Sequence, residues 1–285
     1  MNKNKIKIKE TAKPAPKSPP KSAVREYFQS FVVTLVMAIF GMTFMVQAVT
    51  VPTGSMQNTI NIGDYLLVNK FIFPPGGKPL PFLPQREIKR GDIIVFKYPG
   101  NKVHPEYDRQ RQPPTVPYQI NYVKRVIGLP GETVEFRNNQ VFINGQLLPE
   151  HRITADSPTD AASDTESEAA LQIKSEEPRQ ENENYDVYYS ERTMKVVQAG
   201  QDLSRAGYEF AIPGKPMVVP DDSYFVMGDS RDQSDDSRSW GFVNRDLVIG
   251  RAMFVYWSCD RAAGEGGFFG CLTHPRLARI GKLIR

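Results

Sequence analysis

Ser55 is the first candidate for chemistry in this 285-residue sequence, where it lies in the stretch PTGSM. A serine hydroxyl becomes a nucleophile only when a nearby base removes its proton. Taken alone, a Gly-Ser pair is equally typical of a turn or a helix cap. A catalytic role for Ser55 therefore depends on a base elsewhere in the chain.

Histidine and metal chemistry are poorly supported as sources of that base. The three histidines, His104, His151 and His274, lie in a Pro-rich, an acidic and a C-terminal stretch, outside the strand-like segments. The sequence has no HExxH or Cys/His cluster, and the run GDSRDQSDD places Arg231 and Gln233 where a calcium loop needs oxygen ligands. We therefore predict that the protein binds no metal and no cofactor.

Lysine is the remaining candidate, in the stretch NYVKRVIGLPGE. In a strand, side chains alternate, so Tyr122, Lys124 and Val126 share one face, and Val123, Arg125 and Ile127 share the other. One of the two cations then shares a face with the core. Only Lys124 can act there as a base, because a buried lysine can be neutral near pH 7 whereas arginine stays protonated. A lysine that snorkels from a strand edge is the alternative.

The elements that must position these residues are mostly strands. DYLLV, DIIVFKY, TVEF, QVFI, SYFVM and VIGRAMFVYW are short, rich in β-branched and aromatic residues, and bounded by Gly, Pro or Asn. Asn144-Gly145 suits a two-residue hairpin turn. The sequence lacks long amphipathic helical patterns and internal repeats. These patterns predict a mostly β domain.

The N-terminal part predicts a membrane anchor. Residues 1–27 contain eight Lys/Arg and two Glu, which favours a disordered basic tail, and residues 28–51 carry no charge. As a helix, this run spans the roughly 30 Å of membrane hydrocarbon, and MVQAVTV offers no good small-x-small site for cleavage. The positive-inside rule places residue 1 in the cytoplasm and residues 52–285 outside it. Ser55 then lies within about 15 Å of the end of the span.

Charge and composition limit the partners. The net charge is +4, and much of it comes from the N-terminal tail, so we predict no nucleic-acid binding. The apolar, proline-rich stretch FIFPPGGKPLPFLP is either a lip that dips into lipid or a loop packed on the core. Residues 151–192 carry eleven Asp/Glu and four Lys/Arg, which predicts an exposed acidic insertion or flexible loop. Cys259 and Cys271 are either a disulfide or two free thiols.

Five stretches together resemble the bacterial type I signal peptidases, also called leader peptidases. They are PTGSM, GDYLLVNK, RGDIIVFKYP, YVKRVIGLPGE and GDSRDQSDDSRSWGFV, which occur in that family's order within residues 49–70, 88–99, 121–149 and 219–257. With the transmembrane helix predicted at 28–51, the resemblance implies an extracytoplasmic all-β catalytic domain over 52–285. It also implies a variable inserted β/loop subdomain at about 146–218 that contains the acidic stretch, to which we assign no role. Some members of the family carry two spans, whereas only one is visible in this sequence.

The resemblance also implies roles for individual residues. Ser55 is similar to the family's nucleophile and Lys124 to its general base, with the Ser55 backbone N–H and the Thr53 hydroxyl as the oxyanion hole. The family often has serine at the position of Thr53. By position, Ser234 orients the Lys124 amine, Asp236 and Arg238 buttress the loop, and Asp229 and Arg231 match other recurrent positions.

The implied activity is removal of signal peptides from secreted preproteins after Ala-x-Ala sites, at the bacterial inner membrane on its periplasmic side. Shallow apolar pockets match Val51, Pro52, Met56, Leu66 and Val123. Expected partners are preproteins and the lipid bilayer. Two alternatives remain: a Ser/Lys peptidase that matures one partner, and a non-catalytic, membrane-tethered β-rich binding module.

Overall fold

The structure is a computed structural model that describes residues 23–111, 113–156, 170–203, 207–260 and 268–285. The chain divides into two compact units, residues 1–41 and 42–285. The basic tail predicted for residues 1–27 lies mostly outside the described residues. The mostly β fold with an N-terminal apolar helix is confirmed.

The first unit contains helix α1, Ala23–Phe40, whose end continues as a π-helical turn over Gly41–Met45. Together they form a 23-residue segment, Ala23–Met45, with mean hydropathy 1.9 in its most apolar part, which is long and apolar enough to cross a membrane. The segment ends earlier than the predicted residue 51. Residues 46–50 instead form strand β1, because their backbone groups hydrogen-bond to the next strand and their side chains reach the domain core.

The second unit is built on a seven-stranded antiparallel sheet. Its members in chain order are β1 (Val46–Thr50), β2 (Asp64–Asn69), β3 (Ile93–Lys97), β4 (Asn121–Gly128), β12 (Ser223–Met227), β13 (Val243–Asn244) and β14 (Val248–Ser258). Their spatial order is β1-β2-β14-β3-β4-β12-β13. Strand β4 is central, with β3 on one side and β12 on the other. This position decides the environment of Lys124.

A four-stranded sheet packs through its apolar residues on the β4 and β12 end of the first. It contains β5 (Thr133–Arg137), β6 (Gln140–Ile143), β7 (Gln146–Leu147) and β11 (Met217–Val218), in the order β11-β5-β6-β7. The predicted Asn144-Gly145 turn joins β6 to β7, and both residues have positive φ. Ile127 and Phe225 of the first sheet share a buried cluster with Val134 of the second.

The acidic region was predicted as an exposed insertion or a flexible loop within a variable β/loop subdomain, and part of it forms strands. A three-stranded sheet forms from β8 (His151–Asp156), β9 (Gln172–Glu176) and β10 (Asp186–Tyr189), in the order β10-β8-β9. Alternate apolar residues in this polar sequence, among them Ile153 and Tyr188, bury a small cluster of their own. Residues 157–169 lie outside the described part of the chain.

Short helices complete the described residues: α2 (Pro105–Gln110), α3 (Glu191–Gln198), α4 (Ser237–Trp240) and α5 (Phe268–Thr273), with single 3-10 turns at Pro75–Gly77, Arg245–Leu247 and Leu277–Arg279. Cys259 and Cys271 form a disulfide. In the proline-rich stretch, Phe73 packs on the core, whereas Leu80 and Phe82 are 49% and 79% exposed.

Candidate active site

Ser55 and Lys124 meet at the floor of a cleft. After β1 the chain leaves the sheet and turns back at residues 53–59, and this turn holds Ser55 against the central strand β4. Lys124 Nζ lies 2.5 Å from Ser55 Oγ, although 69 residues separate the two in sequence. Both are buried, with 3% of Lys124 and 8% of Ser55 exposed. A hydroxyl and an amine at this distance can exchange a proton.

Lys124 and Arg125 of β4 are both buried, whereas the alternation of side chains predicted that only one of them would face the core. Lys124 faces the cleft, whereas Arg125 on the opposite face pairs with Asp229 through two hydrogen bonds of 2.7 Å. A central strand with both faces covered has no solvated side, so the second cation needs a buried partner. Thr59, in the turn that carries Ser55, donates to the same Asp229 carboxylate at 2.6 Å. Asp229 therefore ties β4 to the nucleophile turn.

The cleft has a volume of about 520 Å³ and one apolar wall. Four of the five residues predicted for substrate binding, Val51, Pro52, Met56 and Val123, line it, and so does Thr53. Leu66 is fully buried in the core cluster behind this wall and does not reach the cleft. Apolar side chains in the lining that also contains Ser55 suit a ligand with apolar side chains.

The loop 228–238 packs behind the nucleophile turn. Asp236 accepts hydrogen bonds from Arg238 Nε and Nη2, both 2.8 Å, and from the Gly228 backbone N–H at 3.1 Å. Burial opposes ionisation of Asp236, but its ion pair with Arg238 prevails and lowers the pKa of the carboxyl group. The same guanidinium donates to the Arg231 carbonyl at 2.5 Å. The loop is thus held in one conformation by charges that no solvent reaches.

Gly228 packs between Ser234 and the backbone of Ser55. A Cβ atom built on Gly228 would be 2.3 Å from Ser234 Oγ and 2.4 Å from the Ser55 carbonyl oxygen. The Ser234 hydroxyl is buried and has no hydrogen-bond partner among the described residues, Lys124 included. The structure therefore brings Ser234 beside the Ser55 turn without the predicted contact to the lysine.

Sequence reasoning missed several residues around the cleft. Arg111, Gln233 and Asp235 are polar residues that line it, and Pro113, Thr115, Ile120, Asn121 and Tyr122 line it as well. Arg231, which was placed only by position, forms a fully buried ion pair with Glu150. Asn58 exchanges two hydrogen bonds with the Leu171 backbone, of 2.9 and 2.7 Å. The residues in these two contacts lie 81 and 113 positions apart in sequence, and no local sequence pattern links them.

The histidines lie away from the cleft lining. His104 contacts Glu106 and Glu209 at the surface. His151 is buried in β8 and contacts Asp186 of β10. These contacts give the two side chains structural partners of their own.

Comparison with known proteins gives consistent matches over most of the chain. The family described as signal peptidase, peptidase S26, matches residues 24–257. Signal peptidase I of Pseudomonas fluorescens is 30% identical over 276 residues, covering 90% of this chain and 78% of that protein. Signal peptidase I of Leptolyngbya laminosa is 31% identical over 268 residues, covering 90% and 96%. A crystal structure of a signal peptidase I from Enterococcus faecalis is 30% identical and covers 58% of this chain and 97% of that one, with a TM-score of 0.29. A TM-score this low leaves the sequence similarity as the basis of the comparison.

Proposed function

Since the chain belongs to the signal peptidase family, peptidase S26, we propose that it removes signal peptides with Ser55 as nucleophile and Lys124 as general base. The observation that carries this assignment is the 2.5 Å contact between Lys124 Nζ and Ser55 Oγ, two buried side chains that line the cleft. The enzyme is a signal peptidase, and signal-peptide-bearing preproteins are its substrates.

In the first half of the reaction, the neutral Lys124 amine takes the Ser55 proton as the hydroxyl oxygen attacks the scissile carbonyl carbon. The tetrahedral intermediate then collapses, the peptide C–N bond breaks, and the ammonium of Lys124 gives its proton to the departing amine. Burial favours the neutral amine that this step needs, because removal from water penalises the charged form. The signal peptide remains as an ester on Ser55.

In the second half, Lys124 takes a proton from water, and the resulting hydroxide attacks the ester. Collapse of the second intermediate returns a proton to Ser55 Oγ and releases the signal peptide with a free carboxylate. In both halves, the negative oxygen would accept hydrogen bonds from the Ser55 backbone N–H and the Thr53 hydroxyl. Support for this role is that Thr53 and Ser55 both line the cleft.

For substrate choice, we propose cleavage after small-x-small sites. Support for this choice is that the apolar side chains of Val51, Pro52, Met56 and Val123 line the cleft together with Ser55. Leu66 contributes indirectly, because it packs behind these residues and supports their positions.

For location, we propose a single-pass protein of the bacterial inner membrane, with the N-terminus in the cytoplasm and residues 46–285 on the periplasmic side. The apolar segment Ala23–Met45 and the basic residues that precede it support this orientation. The disulfide between Cys259 and Cys271 suits an oxidising compartment. Anchoring also favours substrates whose signal peptide is still in the lipid.

The test is cleavage of an Ala-x-Ala preprotein by the detergent-solubilised full chain, with the cut located by mass. Ser55→Ala and Lys124→Arg should each abolish cleavage, while Lys174→Arg, on the exposed strand β9, should leave the rate unchanged. Activity should rise with pH as Lys124 loses its proton. Retained cleavage in either cleft variant would refute the dyad. Cleavage of only one preprotein in an unrelated panel would favour the specialised peptidase.

A further inference from the structure

The roof segment, residues 99–111 and 113–120 between β3 and β4, is an ordered structural element. It folds around the buried carboxylate of Asp108, which accepts hydrogen bonds of 2.8 Å from the Tyr98 hydroxyl and the Asn101 backbone N–H. The Asp108 carbonyl accepts another from the Thr115 N–H at 2.8 Å. These bonds hold Arg111 and Thr115 at the mouth of the cleft, where both line it.

Arg111 bridges the roof segment to the loop that flanks the catalytic lysine. Its guanidinium donates to the Tyr122 hydroxyl at 2.6 Å and forms an ion pair with Asp235. The two charged side chains are 37% and 33% exposed, so the pair is partly open to solvent and to a ligand. A guanidinium has five N–H donors, and the described contacts use two of them. Donors therefore remain for a bound peptide.

This inference rests on the proposed function. If that function holds, the Arg111–Asp235 pair lies in the part of the cleft that binds the residues after the cut. The small residues before the cut occupy the apolar wall of Val51, Pro52, Met56 and Val123. The departing amine must lie next to Lys124, which protonates it. Gln233 and Asp235 belong to the loop that flanks Lys124 and they line the cleft with Arg111. The first residues of the mature protein would therefore pass along the polar side chains of Arg111, Gln233 and Asp235.

We propose that Arg111 and Asp235 form a charge-neutral bridge that binds the first residues of the mature chain without selecting their charge. The free N–H groups of Arg111 would donate to backbone carbonyls, which every substrate has. Asp235 fixes the guanidinium and cancels its charge, so neither acidic nor basic side chains after the cut are favoured. This suits an enzyme whose products begin with many different sequences.

The test compares kcat/KM for preprotein peptides that carry Glu or Lys at the second residue after the cut. The wild-type ratio should be close to one. Asp235→Asn leaves Arg111 unbalanced and should shift the ratio toward Glu by about 2- to 5-fold, the range of a partly exposed charge contact. Arg111→Gln leaves Asp235 unbalanced and should shift the ratio toward Lys by a similar factor.

The double variant Arg111→Gln/Asp235→Asn provides a rescue. The site is neutral again in this variant, so the ratio of kcat/KM for the Glu and Lys peptides should return to the wild-type value, even though KM rises for both peptides. Arg109→Ala, on α2, and Asp246→Asn, near β13, are matched control variants with charges outside the cleft lining. They should leave the ratio unchanged.

Three results would overturn the bridge: unaltered ratios in the single variants, shifts in the same direction in both, or a double variant that is not restored. A shift that appears only when the charge lies before the cut, at the middle residue of Ala-x-Ala, would overturn the assignment to the leaving-group side. Failure of the proposed function is distinct, because the wild-type enzyme would then cut neither peptide.

Discussion

The Thr53 hydroxyl offers the sharpest test at the scale of single residues. Thr53 lies two residues before the nucleophile and lines the same cleft. Thr53→Val keeps the shape of the side chain but removes the donor, and loss of one oxyanion-hole donor typically lowers kcat by about 100- to 1000-fold. Thr53→Ser keeps the donor and should retain activity within about 10-fold of wild type, since the less restricted rotamer costs little. Steady-state kinetics on one preprotein measure both.

The outcome is informative because KM separates two roles. An oxyanion donor acts in the transition state, so KM should stay nearly constant while kcat falls in Thr53→Val. A rise in KM alone would instead make Thr53 a ground-state contact. Equal activity of the two variants would exclude its hydroxyl from catalysis.

Gly228 allows a second test at this scale, through packing. Its Cα faces both the Ser55 carbonyl and the Ser234 hydroxyl, and an added Cβ would lie within 2.4 Å of each. Because backbone on the Ser55 side must then move, Gly228→Ala should lower kcat by about 10- to 100-fold, as expected for a misplaced nucleophile. Gly41→Ala, which meets nothing within 4 Å, is the matched control. Unchanged kinetics in a folded Gly228→Ala protein would contradict this packing.

At the scale of elements, strand β4 was largely predictable and its partners were not. Alternation over NYVKRVIG places Lys124 and Arg125 on opposite faces, as found. It does not reveal that β4 lies between β3 and β12, and this central position is what buries both cations. The ends of α1 and β1 were missed for a similar reason. Residues 46–50 are apolar enough to continue a span, and only pairing with β2 makes them a strand.

The three-stranded sheet shows the limit of composition as a predictor. Its excess of acidic residues is typical of a flexible loop, yet β8 and β10 pair over four residues and their apolar side chains are buried. His151 and Asp186 are register partners in this parallel pair. The contact therefore depends on two segments 35 residues apart in sequence, beyond the reach of local patterns.

His151 makes the stability of this sheet dependent on pH. Its Nδ1 lies 2.8 Å from the Asp186 carboxylate and its Nε2 lies 2.7 Å from the Glu177 carbonyl, so both nitrogens face acceptors and the ring is best satisfied as an imidazolium. Burial works against the charge, but the bonds to Asp186 and Glu177 prevail and raise the His151 pKa. A raised folded-state pKa gives stability that is complete below the unfolded pKa and is lost as pH rises through the folded one.

The expected result is a loss of unfolding free energy above about pH 6.5, the unperturbed histidine value, that is absent in His151→Gln. Urea unfolding of wild type and variant over a pH series measures the difference between them, which removes contributions from other groups. His274→Gln, at an exposed site near the C-terminus, should follow wild type. Parallel pH curves for wild type and His151→Gln would show that the buried ring is neutral.

At the scale of the whole molecule, the proposed chemistry requires the 42–285 unit to lie outside the cytoplasm. The sequence predicted this orientation from eight Lys/Arg in the first 27 residues. The structure adds a disulfide between Cys259 and Cys271, the two cysteines of the chain. A disulfide persists in the periplasm and is reduced in the cytosol. The orientation of the chain and the oxidation state of its two cysteines therefore both report on which side of the membrane the 42–285 unit lies.

Both readouts can be obtained from one culture of intact spheroplasts that express the full chain with an N-terminal tag. External protease should remove the 42–285 unit while the tag, in the cytoplasm, stays protected until the cells are lysed. A thiol reagent added at lysis should label the untreated protein only after reduction, because both sulfurs are already bonded. Labelling without reduction, together with a tag that external protease removes, would place the catalytic unit in the cytoplasm. In that orientation, the cleft would not meet translocated preproteins.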